Sequence, residues 1–261
     1  MADSHVGKAD RQSDTDSSSN VESSIAENLK DVRSRIHRAA TQGGRDPAEV
    51  QLVAVSKTFS AEHIRAAATA GQVDFGENRV QEGLQKCALL RDLNIRWHLI
   101  GHLQSNKTKK IVEPFAWIHS VDSADLLKRV NRIASEQDAR LEVLIQVDLA
   151  GEATKHGATP EELPDILTTG SECQAAQIRG LMLMPPLDEP ERLRPYFRRL
   201  YHLRNDLLGK GYDSRMLHHL SMGMSHDFEV AVQEGATIVR VGSAIFGARS
   251  QKMNNTPASL T

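Results

Sequence analysis

The chain has 261 residues, of which 39% are hydrophobic and 25% charged, and its formal net charge is −2 at pH 7. So balanced a charge gives no electrostatic reason to expect a nucleic acid, and no apolar run approaches the ~20 residues of a membrane span. Cys87 and Cys173 form no metal or redox spacing and the N-terminus lacks a signal-like apolar stretch, so a cytoplasmic protein is expected.

Residues 1–22 are rich in Ser, Asp and Gln and nearly devoid of large apolar side chains, which predicts a flexible tail; a second tail is expected over 250–261. Residues 23–249 read as one domain. An amphipathic helix is predicted from about Ser23 to Ala40, with Ile25, Leu29, Val32 and Ile36 at helical spacing, ended by Gly43-Gly44 and Pro47. Eight short apolar runs follow, separated by helical stretches. They are Leu52–Val55, Val73–Phe75, Trp97–Ile100, Trp117–Val121, Val143–Val147, Ile178–Met182, Leu217–Leu220 and Ile238–Val241.

Near-continuous apolar strands alternating with amphipathic helices indicate an α/β protein with a parallel sheet covered by helices. Eight such units predict closure into a (β/α)8 TIM-type barrel with an extra N-terminal helix. An open doubly wound sheet is the alternative, but it would carry a Gly-rich turn after its first strand, where this chain reads Val55-Ser56-Lys57-Thr58.

In such barrels chemistry sits at the C-terminal strand ends. Strand one ends at Lys57, a residue that partial desolvation would make a Schiff-base nucleophile. Taken alone, it reads more simply as a lysine snorkelling to the rim. Strand two runs into Gly76-Glu77-Asn78, and strand five into Gly151-Glu152 with Lys155 and Gly157. Strands seven and eight run into Ser221-Met222-Gly223-Met224-Ser225 and Gly242-Ser243. Small residues there let backbone amides approach an anion, the recurrent phosphate position of the fold, although they also make ordinary tight turns.

A lysine facing a phosphate cradle fits pyridoxal phosphate, and it fits a sugar-phosphate aldolase as well. Arg240 shares the inward face with Gly242, where it would donate to a pyridine nitrogen without yielding a proton; a surface or phosphate ion pair is the plainer alternative. His98 and His102 are four apart, but no Glu follows His98 as a metalloprotease helix requires, so no metal site is expected.

At these residues the chain resembles the YggS/PROSC family of pyridoxal phosphate homeostasis proteins. The matching segments are Val53–Lys57, Gly76-Glu77-Asn78 with Val80–Glu82, Trp97-His98 through Asn106-Lys107, Ser221–Asp227, and Arg240–Gly242 through Gly247. The resemblance implies a fold-type III barrel related to the N-terminal domain of alanine racemase, with pyridoxal 5'-phosphate carried as an internal aldimine on Lys57. It implies phosphate contacts from Ser221, Gly242 and Ser243, Arg240 at the ring nitrogen, and Asn78, His98, Met224 and Ser225 lining the pocket. Phe59, Arg79 and Leu183-Met184-Pro185-Pro186 depart from the family pattern at the rim.

The implied role is cofactor homeostasis or delivery and amino-acid/keto-acid balance, without robust catalytic turnover and with PLP-dependent apo-enzymes as partners. A weak amino-acid racemase is the enzymatic alternative; it needs a second acid/base group, for which His98 and His219 are candidates. A Schiff-base aldolase, with Glu77 as its carboxylate, is the third. A monomer is the default expectation.

Overall fold

In the computed structural model, residues 10–151 and 156–248 are described, with side chains from residue 20 onward. The expectations for residues 1–9, Glu152, Lys155, Arg249 and 250–261 lie outside this range. The strands are β1 (Gln51–Val55), β2 (Asp74–Glu77), β3 (Arg96–Leu99), β4 (Trp117–Val121), β5 (Leu141–Val147), β6 (Ala176–Leu183), β7 (His219–Ser221) and β8 (Ile238–Val241). All pair in parallel with their sequence neighbours, and β8 returns to β1 to close the barrel.

The alternation of side chains along each strand divides the apolar residues into two packed regions. Val53, Trp117, Leu144, Met182 and Ile238 fill the barrel interior, while Leu52, Ala54, Phe75, Leu99 and Ile118 face the surrounding helices.

Those helices are α1 (Asp10–Gln42), α2 (Ala61–Thr69), α3 (Val80–Leu89), α4 (Thr108–Ile111), α5 (Ala124–Glu136), α6 (Leu163–Glu172), α7 (Pro190–Gly209), α8 (Phe228–Gln233) and α9 (Ser243–Phe246). In α5, Ser123 caps the first turn by accepting from the Leu126 amide. Leu126, Leu127, Val130, Ile133 and Ala134 form its buried stripe. Among the described residues, no helix is long and apolar enough to cross a membrane.

The N-terminal helix is longer than the sequence predicts. The expected stripe of Ile25, Leu29, Val32 and Ile36 is buried, and α1 lies on α2, α8 and α9, tied to α8 by Arg35–Glu229 at 2.8 Å. The helix begins at Asp10 and not near Ser23, so residues 10–22 are helical where a tail was expected. The intervening residues contain no Gly or Pro, and once a turn is anchored each further residue adds a backbone hydrogen bond at little cost.

Strand ends also move. β2 takes in Gly76 and Glu77, which pair with His98 and Leu99, and leaves Val73 38% exposed. β7 is displaced toward Ser221, β5 begins before its apolar run, at Leu141, and β6 extends beyond its run at both ends.

Candidate functional site

Lys57 lies two residues past β1, and its backbone is held from behind. The Ser56 amide donates to Gly76 O at 3.0 Å, and the Ser56 hydroxyl donates to Glu77 Oε1 at 2.7 Å. Lys86 of α3 places its Nζ 2.7 Å from Ser56 O, 2.8 Å from Glu77 Oε1 and 2.7 Å from Glu82 Oε1. Glu82 in turn accepts the Thr58 amide at 2.6 Å. Thr58 has φ +72°, a left-handed conformation that costs a β-branched residue about 1–2 kcal/mol. The buried ion pair and the amide bond hold that turn, which sends the chain sharply from strand to rim beside Lys57.

Glu77 therefore does not serve the amine of Lys57. Its side chain faces α3 behind the strand, packed 3.3 Å from the position a Cβ on Gly83 would take. Burial outweighs its bonds to Lys86 and Ser56 and raises the carboxyl above its ordinary pKa. The aldolase reading loses the carboxylate it assigned.

Lys57 lines a cavity of about 260 Å3 together with Asn78, Met224, Ser225, Arg240, Gly242 and Ser243, seven of the nine residues expected there. Larger hollows of about 490–500 Å3 exist, but among the described residues none joins a strand-end lysine to a buried arginine. Arg240 is only 3% exposed and meets neutral partners: Nη1 donates to Ser221 Oγ at 2.6 Å and Nη2 to Leu183 O at 2.9 Å. Burial lowers its pKa to about 10, so it is a protonated donor at neutral pH.

His98 and Ser221, the other two residues expected at the site, do not line this cavity. Both point inward as expected but lie one layer below the cavity, fully buried, where Ile100 and Gly223 follow them toward the mouth. They belong to a hydrogen-bonded chain through the barrel. Ser221 Oγ lies 3.0 Å from His119 Nδ1, His119 Nε2 lies 3.0 Å from His98 Nδ1, and His98 Nε2 lies 3.0 Å from Asp74 Oδ1. One assignment satisfies every link: Arg240 donates to Ser221, Ser221 to His119, His119 to His98, and His98 to Asp74. It requires both imidazoles to be neutral. His219, the other histidine considered, opens β7 at the opposite rim, beside Trp117 and His218.

Neutral imidazoles have a consequence for stability. Burial lowers the pKa of His98 and drives that of His119 well below 6.5, and half-buried His219 is pushed down to about 4. Below about pH 6.5 the unfolded chain binds more protons at these sites, so their stabilisation is complete above that pH and lost beneath it. Urea unfolding is expected to show a loss on the order of 2 kcal/mol between pH 7.5 and 5.5. His119→Gln should flatten the slope; equal slopes for the two proteins would contradict the neutral chain.

The loop after β7 is shaped by Gly223, at φ +94°, where a Cβ would lie 2.6 Å from that of Ala231. Asp227 anchors the loop by accepting the Met224 amide, while its buried Oδ2 accepts no hydrogen bond among the described residues and lies 3.4 Å from His226 Nε2; burial raises its pKa. Ser225 Oγ accepts from the Gly242 and Ala244 amides at 3.0 and 3.4 Å, joining this loop to the one after β8. Among the described residues, the amides of Ser225 and Ser243 have no protein acceptor. Two open donors, an adjoining hydroxyl and a buried arginine fit a ligand with a phosphate and a ring acceptor.

Sequence reasoning missed His119, Lys86 and the cavity-lining Ile100, Leu187 and His226. Phe59, flagged as a departure, lines the cavity and packs on Phe246 with ring centroids 5.1 Å apart. Met184 and Leu187 form an apolar lip, 42% and 90% exposed.

A closed parallel barrel with these groups at its mouth defines the class. The family profile described as "Alanine racemase, N-terminal domain" matches residues 23–250. A solved alanine racemase of Clostridium difficile superposes with a TM-score of 0.66 at 16% identity, over 87% of this chain and 60% of that one, which establishes the shared fold.

Nearer relatives narrow the class. The Pyridoxal phosphate homeostasis protein of Pseudomonas aeruginosa is 47% identical over 228 residues, 87% of this chain and 96% of that protein. That of Escherichia coli K12 is 41% identical over 231 residues, 86% and 97% of the two chains. The structure of PipY of Synechococcus elongatus, with PLP bound, aligns with a TM-score of 0.77 at 44% identity, over 85% of this chain and all of that one. The chain belongs to the pyridoxal phosphate homeostasis protein family.

Proposed function

We propose that this chain binds pyridoxal 5'-phosphate covalently through Lys57 and holds it for cofactor homeostasis and delivery, without efficient turnover of a substrate of its own. The observation that carries the reading is the meeting of Lys57, Arg240 and the loops of Ser225 and Gly242-Ser243 around one cavity. The names of the P. aeruginosa and E. coli relatives and the PLP-bound PipY support it.

The bound cofactor supplies an electrophilic aldehyde and a ring that withdraws electrons strongly only when its nitrogen is protonated. Lys57 would provide the amine that holds it. The Ser225 and Ser243 amides and the Gly242 loop would hold its phosphate, with Asn78 and Met224 lining the same cavity. Arg240, oriented by Ser221 and Leu183 O, would donate to the ring nitrogen without surrendering its proton, which would disfavour carbanion chemistry. Ser221 and His98 act through Arg240 in this reading. The racemase alternative lacks support from its two named bases, because His98 lies beneath the cavity and His219 at the far rim.

Delivery to PLP-dependent apo-enzymes, a monomeric state and a cytoplasmic location are parts of the same proposal. The exposed apolar lip of Met184 and Leu187 and the two free thiols are compatible with them. Transfer is tested by mixing loaded protein with an apo-enzyme while a phosphatase destroys free PLP. Handover predicts activation despite the phosphatase and none from a Lys57→Ala preparation. Activation abolished by the phosphatase would refute direct handover.

A further inference from the structure

Across the same barrel face, away from Lys57, three consecutive strand exits bring together His102, Asp122 and His156. One potential ligand atom from each lies within 4.8 Å of the others. The two imidazoles stack with centroids 3.6 Å apart and planes 11° from parallel, and His102 Nδ1 is 3.8 Å from Asp122 Oδ2.

All three backbones are anchored independently. His102 follows Gly101, whose carbonyl accepts the Ser120 hydroxyl at 2.7 Å, and precedes buried Leu103. Asp122 directly follows β4 and precedes the Ser123 cap of α5. The His156 carbonyl accepts from Gln146 Nε2 at 2.5 Å, and Ala158 forms a parallel bridge with Val147 just beyond it. Among the described residues Asp122 has no Lys or Arg within ion-pair distance; Oδ1 lies 3.5 Å from the Ser123 hydroxyl and Oδ2 faces His102.

We infer that His102, Asp122 and His156 form a binding site for a divalent transition-metal ion, with zinc the best match to two imidazoles and a carboxylate. Tetrahedral zinc with bonds of about 2.0–2.2 Å needs donor atoms roughly 3.3 Å apart and both ring planes directed at the ion, so the exposed His102 and His156 side chains must unstack by rotation about these anchored backbones on binding. Three protein ligands leave a fourth position open to water or an anion. His102 and Asp122 also line a hollow of about 500 Å3 whose other wall carries Lys128, Arg129 and Arg132. The anionic group that fits the fourth position is therefore a carboxylate or phosphate drawn from that hollow. The site uses no residue of the Lys57 cavity and does not depend on the function proposed for it.

The test is calorimetric titration of zinc into untagged protein, with melting temperature as a second readout. The wild type is expected to bind one equivalent and to melt higher when loaded, because a ligand specific to the folded state stabilises it. His102→Ala, His156→Ala and Asp122→Asn should each weaken binding at least about tenfold, in keeping with loss of a ligand. Their metal-free melting temperatures show whether each variant is folded. His218→Ala, at the opposite rim, should bind as the wild type does. Absence of stoichiometric binding by the wild type, or undiminished binding by a folded His102→Ala/His156→Ala double variant, would overturn the assignment.

Discussion

Lys86→Met is expected to lower the melting temperature by roughly 6–20 °C. Lys86 is 6% exposed and answers the fully buried Glu77 carboxylate at 2.8 Å. Removing one partner of a buried pair typically costs about 3–5 kcal/mol, and a domain of this size loses about 2–4 °C per kcal/mol. The isosteric methionine keeps the packing, so the loss reports the orphaned charge.

The pH dependence gives the sign. Glu77 already has a raised pKa, and losing Lys86 raises it further, so the folded variant binds more protons than its unfolded chain up to a higher pH. The variant should therefore lie nearest the wild type below about pH 4.5 and fall progressively behind as pH rises. Adding Glu77→Gln should recover much of the loss. A thermal unfolding series across pH checks both; a pH-independent deficit that Glu77→Gln leaves untouched would mean that Lys86 acts by packing alone. Because the same lysine holds Ser56 O, the variant should also load PLP less completely at saturating cofactor.

Gly101→Ala is expected to destabilise the fold by about 4 kcal/mol or more and to impair cofactor binding with it. A Cβ on Gly101 would fall 2.0 Å from Asn78 O, 2.8 Å from Asn78 C and 3.0 Å from its Cα. All three are backbone atoms, so no rotamer change relieves the clash, and the β2 and β3 exits must separate. Asn78 lines the cavity, so the displacement reaches the site. Gly209→Ala is the control: nothing lies within 4 Å of its Cβ position at the end of α7, and replacing a helical glycine there should be neutral or stabilising by up to about 1 kcal/mol. Urea unfolding and PLP titration of both variants test the contrast, and a Gly101→Ala protein as stable as Gly209→Ala would contradict it.

The barrel was legible because its strands are short, apolar and separated by amphipathic helices, so their number and order could be read even where ends such as that of β2 could not. Alternation also gave the inward faces, and for Lys57, Arg240 and Gly242 that sufficed, since each stands at or next to a strand end. It does not give depth. His98 and Ser221 share the inward face with residues of the mouth, yet each lies one layer lower, and which layer is filled depends on strand stagger, which no single strand encodes. Their link through His119 crosses three strands and has no local signature. Glu77 illustrates the opposite case: adjacent in sequence to a cavity residue, it turns outward to Lys86, a partner supplied by a helix. The extended start of α1 was obscured by composition, since its Ser- and Asp-rich stretch reads as tail until an anchored helix carries it.

The most direct test of the central claim is the visible spectrum of the purified protein with PLP, followed by borohydride reduction and peptide mapping. A yellow absorption band that reduction abolishes, with a phosphopyridoxyl group recovered on the peptide containing Lys57 and no band in Lys57→Ala, is the predicted result. A protein that stays colourless with added PLP, or a label that settles on other lysines and is unchanged in Lys57→Ala, would contradict it.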